Sequence, residues 1–194
     1  MSVNLKKRKI TNRVLAAAII SFWLAFTAVF FVNCSEKQIY PILYKEEIVV
    51  VSERYGIDPA LVLAIVRTES GFDPFTVSAK GAAGLMQIMP STGKYIAEKK
   101  GIAKYDLFDV NTNLDFGCYY WKYLSERFYG LTETAAAYNA GEGTVGGWLK
   151  NREYSADGKR LGYIPYRETR EYVEKIYESL KRYRKLYAKL LDKP

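Results

Sequence analysis

An apolar helical stripe that ends in a carboxylic acid restricts the fold of this chain more than any other feature. Val62, Ile65 and Val66 precede Glu69 by seven, four and three residues, so the four side chains share one face of a helix. A face this apolar is expected to be buried against other helices. Burial disfavours the charged form of a carboxyl group, so we expect the pKa of Glu69 to rise toward neutrality. Glu69 is therefore a candidate general acid at the edge of a helical core.

Helical periodicity and its end signals account for most of the chain after residue 40. A helix opened by Pro41 is expected to end at Gly56, and Asp58 with Pro59 caps and starts the next helix. Further helices are predicted from Ser91 to Lys99, from Asn113 to about Tyr129, from Thr132 to Gly141, from Val145 to Lys150, and from near Arg167 to about Leu191. Residues 71–89 lack a helical or strand period, which predicts an ordered loop or short extended ribbon. The predicted fold class is mostly α, and no second folded domain is indicated.

A long uncharged segment lies near the N-terminus. Residues 14–32 are 19 positions without a charge, which is long enough for a helix to cross a bilayer. Five basic residues precede it, namely Lys6, Lys7, Arg8, Lys9 and Arg13. This asymmetry predicts a cytoplasmic tail (1–13), a transmembrane anchor (14–32), a stem (33–40) and an extracytoplasmic domain (41–194). A cleaved signal peptide is the alternative, but such a segment ends in small residues, whereas Phe30, Phe31 and Val32 are large.

Composition argues against several other classes of site. The chain has no histidine, and Cys34 and Cys118 are far apart, so no zinc or other transition-metal site and no cofactor are predicted. The glycine pattern of residues 141–146 follows a helix rather than a strand, so it does not predict a dinucleotide site. The formal net charge of +8 favours polyanionic partners. The N-terminal cations are explained by the membrane, however, and no clustered basic recognition helix follows, so nucleic acid is not expected as a partner.

Two later segments combine small residues with isolated polar groups. Residues 81–90 read GAAGLMQIMP, in which the small residues permit close backbone approach and Gln87 offers both a donor and an acceptor. Met86 and Met89 add adaptable apolar surface. Residues 135–141 read AAAYNAG, where the alanines allow a neighbouring helix to come near Tyr138 and Asn139.

These segments together resemble the lytic transglycosylases of the soluble-transglycosylase (SLT) type, which share the goose-type lysozyme fold. The matching stretches are residues 69–74 (ESGFDP), Ser78 with residues 81–90, Asn113 with Gly117 and Tyr120, residues 136–141 (AAYNAG), and residues 164–173 (IPYRETREYV). Each stretch is short, but their order and spacing together are specific. The resemblance spans roughly residues 41–182 and implies a bacterial, lysozyme-like helical domain. Combined with the anchor predicted from residues 14–32, this places the domain behind an N-terminal transmembrane helix that crosses the cell membrane once.

The resemblance also implies a role for each matching residue. Glu69 matches the catalytic glutamate, which protonates the glycosidic oxygen between N-acetylmuramic acid and N-acetylglucosamine. As a carboxylate it then takes the proton of the muramic C6 hydroxyl, which closes on C1 and leaves a 1,6-anhydro product. The implied substrate-binding residues are Ser78 near the N-acetyl region, Gln87 and Met89 around the scissile sugar, Tyr138 and Asn139 on the wall beside the carboxyl, and Glu168 on the lining of the cleft. The implied partner is the peptidoglycan glycan strand.

Alternative interpretations remain open at this point. A hydrolytic muramidase on the same fold would need a carboxylate to position water, with Asp73 or Glu168 as candidates. A non-catalytic wall-binding module of a secretion, sporulation or division assembly is the alternative from another class. Ser78 could simply cap a turn, and Tyr172 is favoured as a core residue over a sugar-stacking one because it lies at helical spacing.

Overall fold

The computed structural model describes residues 21–24, 26, 27 and 36–191. The predicted tail of residues 1–13, most of the predicted anchor of residues 14–32, and Cys34 lie outside the described residues. The chain divides into two compact units, which are Met1–Pro41 and Ile42–Pro194. In the first unit, residues 21–24, 26 and 27 are helical. Within the described part of the chain, none of the helices has both the length and the hydropathy needed to cross a bilayer.

Seven α-helices follow in the second unit, within the residues described. They are α1 (Lys45–Tyr55), α2 (Pro59–Ser70), α3 (Pro90–Lys100), α4 (Val110–Arg127), α5 (Leu131–Ala140), α6 (Glu142–Lys150) and α7 (Arg167–Leu191). The prediction of a mostly α domain is confirmed. The prediction of a short ribbon in residues 71–89 is also confirmed, because Val77 pairs with Ala83, and Ala83 with Ile88, as isolated antiparallel bridges.

Four predicted helix starts are wrong, and one of them is the start predicted at Val145, since α6 begins three residues earlier at Glu142. The helix predicted from Pro41 begins at Lys45, because Tyr44 adopts a left-handed backbone with φ of 55°. Asn113 does not cap α4, since it lies inside the helix and Asp109 supplies the cap by accepting the Thr112 N–H at 2.8 Å. Thr132 lies inside α5, which follows Gly130 without a side-chain cap. In each case the predicted start lies within four residues of the observed boundary.

The helix that carries Glu69 lies at the centre of the core. Residues 62–66 of α2 are fully buried, which confirms the predicted apolar face. Asp58 caps α2 by accepting the Ala60 N–H at 2.8 Å, and Gly71 ends it in a left-handed conformation with φ of 60°. That conformation favours glycine, and it turns the chain out of the core two residues after Glu69. The acid is thereby placed where the central helix gives way to the ribbon.

The longest helix covers α2. Val173, Ile176, Leu180 and Tyr183 recur every three or four residues along α7, and all four are buried. Tyr187 stacks on Tyr183 with ring centroids 6.0 Å apart, and the helix bends at Tyr187, where φ is −132°.

Candidate active site

A cavity of about 320 Å³ opens between the end of α2, the ribbon, α5 and the first turn of α7. Its lining residues are Glu69, Ser78, Ala79, Lys80, Ala82, Gln87, Met89, Tyr138, Asn139 and Glu168. All seven site residues predicted from the sequence are among them. The structure therefore brings together side chains from positions 69 to 168 around one space large enough for a sugar-sized ligand.

Glu69 reaches this cavity from the last turn of the buried helix α2. Burial raises the pKa of its carboxyl to about 7, and the smaller, opposing effect is a hydrogen bond from the Tyr172 hydroxyl to Oε1 at 2.7 Å. The side chain is only partly exposed, and it is exposed toward the cavity. A carboxyl group with a pKa near 7 can both donate and accept a proton at neutral pH, which suits general acid–base catalysis.

Two tyrosines border the acid. Tyr138 donates to the backbone oxygen of Met86 at 2.8 Å, while Tyr172 donates to Glu69. Burial, and then the nearby charge of Glu69, raise the pKa of both phenols well above the usual value. Both hydroxyls therefore stay protonated and act as neutral donors.

Tyr172 is the residue whose role sequence reasoning missed. The interpretation of Tyr172 as a core residue is correct as far as burial goes, since its side chain is only 7% exposed. Its hydroxyl nevertheless contacts the candidate acid. The available signal was its position four residues after Glu168, which puts the two side chains on the same face of α7.

The ribbon supplies the opposite wall. Ser78 Oγ accepts the Ala82 N–H at 3.0 Å, so Ser78 does cap a turn, as the alternative interpretation held, and it also lines the cavity. Gln87 has a left-handed backbone with φ of 49°, and its Nε2 donates to the backbone oxygens of Thr76 and Gly84 at 3.1 and 2.9 Å. The amide nitrogen of Gln87 is thus committed to holding the ribbon in shape.

A buried asparagine fixes the ribbon to α4. Asn113 Oδ1 accepts the Met86 N–H at 2.7 Å, and its Nδ2 donates to the backbone oxygens of Ala83 and Leu107 at 2.9 and 2.7 Å. Gly84 has φ of 77°, and a Cβ at Gly84 would lie 2.2 Å from Asn113 Nδ2. These contacts explain why a polar side chain is tolerated in the core, because each of its polar atoms is paired.

A second close approach seats Met86. A Cβ at Gly117, in the middle of α4, would lie 2.3 Å from Met86 Sδ and 2.7 Å from Met86 Cβ. The absence of a side chain at Gly117 therefore lets the ribbon lie directly against α4. The same Met86 accepts the hydrogen bond of Tyr138, so this contact also positions the wall beside Glu69.

The remaining wall joins α5 to α7. Asn139 Oδ1 accepts a 2.8 Å hydrogen bond from Thr169 Oγ1, and Glu168 lies 3.9 Å from the ammonium of Lys80 on the ribbon. Asp73 is a turn residue, since its Oδ1 accepts the Phe75 N–H at 2.9 Å. Within the described part of the chain, no group of three or more His, Cys, Asp or Glu side chains is placed to hold a metal ion.

Comparison with known proteins gives consistent matches. The family profile of the transglycosylase SLT domain matches residues 48–160, which is more than half of the chain. The chain is 34% identical over 152 residues to the soluble lytic murein transglycosylase of Escherichia coli, an alignment that covers 74% of this chain and 24% of that protein. It is 34% identical over 165 residues to the membrane-bound lytic murein transglycosylase C of Edwardsiella ictaluri, covering 70% of this chain and 45% of that one. The chain therefore spans less than half the length of these relatives.

Solved structures match in the same region. The 70 kDa soluble lytic transglycosylase of Escherichia coli superposes with a TM-score of 0.69 at 31% identity, covering 77% of this chain and 25% of that one. An inactive mutant of the lytic transglycosylase Slt from Pseudomonas aeruginosa gives a TM-score of 0.66 at 31% identity, with the same coverage. The predicted lysozyme-like helical fold is confirmed by this similarity.

Proposed function

Since this chain belongs to the SLT transglycosylase family, we propose that it is a lytic transglycosylase that cleaves peptidoglycan between N-acetylmuramic acid and N-acetylglucosamine. One observation carries the proposal. Glu69, a carboxyl group with a pKa raised to about 7, faces a cavity lined by the six side chains predicted to hold the glycan. Its pKa and its position both suit a group that must give and recover a proton near neutral pH.

The first step is protonation of the glycosidic oxygen. Glu69 gives its proton to the oxygen, the bond between that oxygen and the muramic C1 breaks, and N-acetylglucosamine leaves as the alcohol. Positive charge develops at C1 and the ring oxygen while Glu69 becomes a carboxylate. The hydrogen bond from Tyr172 stabilises this carboxylate, because a bond to the charged form lowers the pKa of the acid.

The second step restores the acid. The Glu69 carboxylate takes the proton of the muramic C6 hydroxyl, and the oxygen of that hydroxyl forms a bond to C1. The product is a 1,6-anhydromuramic end, and Glu69 is again protonated. No water is consumed, and no second carboxyl group is required.

The positions of the other carboxylates favour this route over hydrolysis. Asp73 accepts a backbone hydrogen bond in the turn after α2, and Glu168 has an exposed side chain that pairs with Lys80. An internal hydroxyl held against C1 can reach an effective molarity of about 10⁵–10⁸ M, far above roughly 55 M for water. The C6 hydroxyl is therefore expected to react before solvent does.

Mass spectrometry of the muropeptides released from purified wall tests the proposal. Anhydro and reducing ends differ by one water, and we expect anhydro ends as the main product, with full activity in EDTA. Mainly reducing ends would instead identify a hydrolytic muramidase. Wall binding without any release would identify a non-catalytic wall-binding module.

We also propose that residues 14–32 anchor the protein in the cell membrane by a single pass, with a cytoplasmic N-terminus and an extracytoplasmic catalytic domain. The support is the uncharged length of 19 residues behind a basic tail. Large apolar side chains in the described part of this segment are also more than half exposed, namely Phe22, Trp23, Leu24 and Phe26. A relative described as membrane-bound is consistent with such attachment.

A further inference from the structure

Lys80 places a positive charge at the mouth of the cavity. It lies on the ribbon between the bridge partners Val77 and Ala83, and its side chain is 79% exposed. Of the described residues that line this cavity, Lys80 alone carries a positive charge. None of the steps proposed for Glu69 uses it.

The backbone that carries Lys80 is held rigidly. Ser78 and Ala82 are joined by a backbone hydrogen bond of 2.9 Å, and Ser78 Oγ accepts the Ala82 N–H at 3.0 Å. The Gly81 N–H donates to the Ser78 oxygen at 2.9 Å, with a left-handed φ of 84° at Gly81. The turn therefore fixes the backbone position of Lys80, and only the side chain of Lys80 adjusts to a ligand.

The present partner of Lys80 is easily exchanged. The ammonium lies 3.9 Å from Glu168 Oε2, and the Glu168 side chain is 75% exposed. Pairs this exposed contribute little net stability, because water solvates both charges well. Another carboxylate can therefore take the place of Glu168 at a small cost in free energy.

Where a stem peptide is attached, the lactyl carboxyl group of muramic acid is bonded to it as an amide, so the free carboxylates of the substrate are those of the peptide. We propose that Lys80 is a specificity-determining residue that binds a free carboxylate of this stem peptide, displacing Glu168. The inference rests on the proposed function. A carboxylate that replaces Glu168 forms a charge-assisted hydrogen bond with the ammonium, while a neutral carboxamide cannot compete for the same position. The protein therefore distinguishes stem peptides with free carboxylates from amidated ones.

The test compares two muropeptide ligands that differ only in the stem peptide. In one ligand the stem carboxylates are free, and in the other they are primary amides. Affinity is measured by titration calorimetry in the inactive Glu69→Gln protein, so that neither ligand is cleaved. We expect the free carboxylate form to bind about two- to fivefold more tightly, as is typical of an exposed ion pair, and the preference to shrink as salt screens the charges. Lys80→Met should bring the ratio of the two dissociation constants near one, and Lys80→Arg should preserve it.

Lys94 provides a matched control. Its ammonium lies 3.9 Å from Glu98 on α3, and the two side chains are 77% and 66% exposed, so the pair resembles that of Lys80 and Glu168 in length and exposure. Lys94→Met removes the same charge away from the cavity and should leave the preference for the free carboxylate intact.

Two results would overturn the inference. One is an unchanged ratio of the two dissociation constants in a Lys80→Met protein whose Tm is also unchanged. The other is an equal loss of preference in Lys94→Met, which would show that the preference depends on the net charge of the protein and not on a contact with Lys80. The proposed function is judged separately, by whether the wild-type protein forms anhydro ends. Formation of anhydro ends without any effect of Lys80 would therefore overturn only the role of Lys80.

Discussion

Tyr172 donates a 2.7 Å hydrogen bond to Oε1 of Glu69, which joins two residues 103 positions apart in the sequence. At the other end of the same two helices, Arg184 lies 2.7 Å from Asp58, so α2 and α7 run antiparallel. This packing places a neutral phenol against the one carboxyl group whose proton the proposed reaction uses. The contact stabilises the charged form of Glu69, so it opposes the effect of burial and keeps the pKa of the acid from rising further.

Replacing Tyr172 should change the pH dependence of cleavage. Tyr172→Phe removes a hydrogen bond that lowers the pKa of Glu69, so this pKa should rise above about 7. The alkaline limb of the kcat/KM profile should therefore move to higher pH. The value of kcat should fall about tenfold or more, because the carboxylate formed in the first step loses a hydrogen bond to a charged group. The measurement is muropeptide release across a pH series.

Tyr177→Phe is the control for that experiment. Tyr177 lies on the same helix, and its hydroxyl is bonded to the hydroxyl of Thr132 at 3.0 Å on the surface. This variant should keep both the rate and the profile of the wild type. A Tyr172→Phe protein with the wild-type pH profile would show that Tyr172 only fills space.

Removing the carboxyl group of Glu69 should abolish most of the activity. Glu69→Gln keeps the size of the side chain but cannot donate and recover a proton, and the loss of general acid catalysis typically costs about 10²–10⁴-fold. Glu126→Gln changes an exposed carboxylate on α4 that pairs with Lys122, and it should be without effect. Ordinary wall cleavage by purified Glu69→Gln would refute the mechanism.

The same substitution should raise stability, and more so at high pH. The folded pKa of Glu69, about 7, lies above its ordinary value of 4.5, so the folded state binds the proton more tightly. The stabilisation from this proton is complete below about pH 4.5 and is lost as the pH rises through 7. Glu69→Gln has no carboxylate to bury, so it avoids this loss. At high pH it should raise the free energy of unfolding by at most about 3 kcal/mol, and by less where cavity water solvates the carboxylate of the wild type. Urea unfolding measures the difference in unfolding free energy between Glu69→Gln and the wild type at pH 5 and at pH 8. Equal differences at the two pH values would contradict the assigned pKa.

Filling the close contact at Gly117 should destabilise the domain. Gly117→Ala puts a methyl group 2.3 Å from Met86 Sδ and should cost about 1–3 kcal/mol of unfolding free energy as the ribbon is pushed away. Gly143→Ala is the control, since Gly143 lies in α6 and a Cβ there meets nothing within 4 Å. It should be neutral or stabilise by up to about 1 kcal/mol through helix propensity. Similar Tm changes in both variants would mean that α4 does not hold the ribbon.

The orientation of the proposed anchor can be tested in cells. Protease added to intact spheroplasts should remove the catalytic domain and leave an N-terminal stub that contains residues 14–32. An antibody against an N-terminal tag detects the stub after electrophoresis. A soluble mature form that begins near residue 33 would instead establish a cleaved signal peptide.

Local sequence signals predicted some features well and others poorly. The start of α2 was predicted correctly from Asp58 and Pro59, because a cap and a first-turn proline act within a few residues. The assignment of Asn113 as a cap failed for the opposite reason. An asparagine near a helix start is a good cap in isolation, but here its side chain bonds to Met86, Ala83 and Leu107, which only the folded chain brings within reach.

The sequence by itself determined the helical class, the apolar face that ends in Glu69, and the set of residues expected around it. These properties follow from apolar residues spaced three and four positions apart and from short motifs whose order is specific. Only the tertiary structure decided that Tyr172 touches the acid, that Met86 fits against Gly117, and that Lys80 faces Glu168 across the cavity. Each of these contacts joins residues tens of positions apart, and it exists because the helices pack in one arrangement that no local pattern encodes.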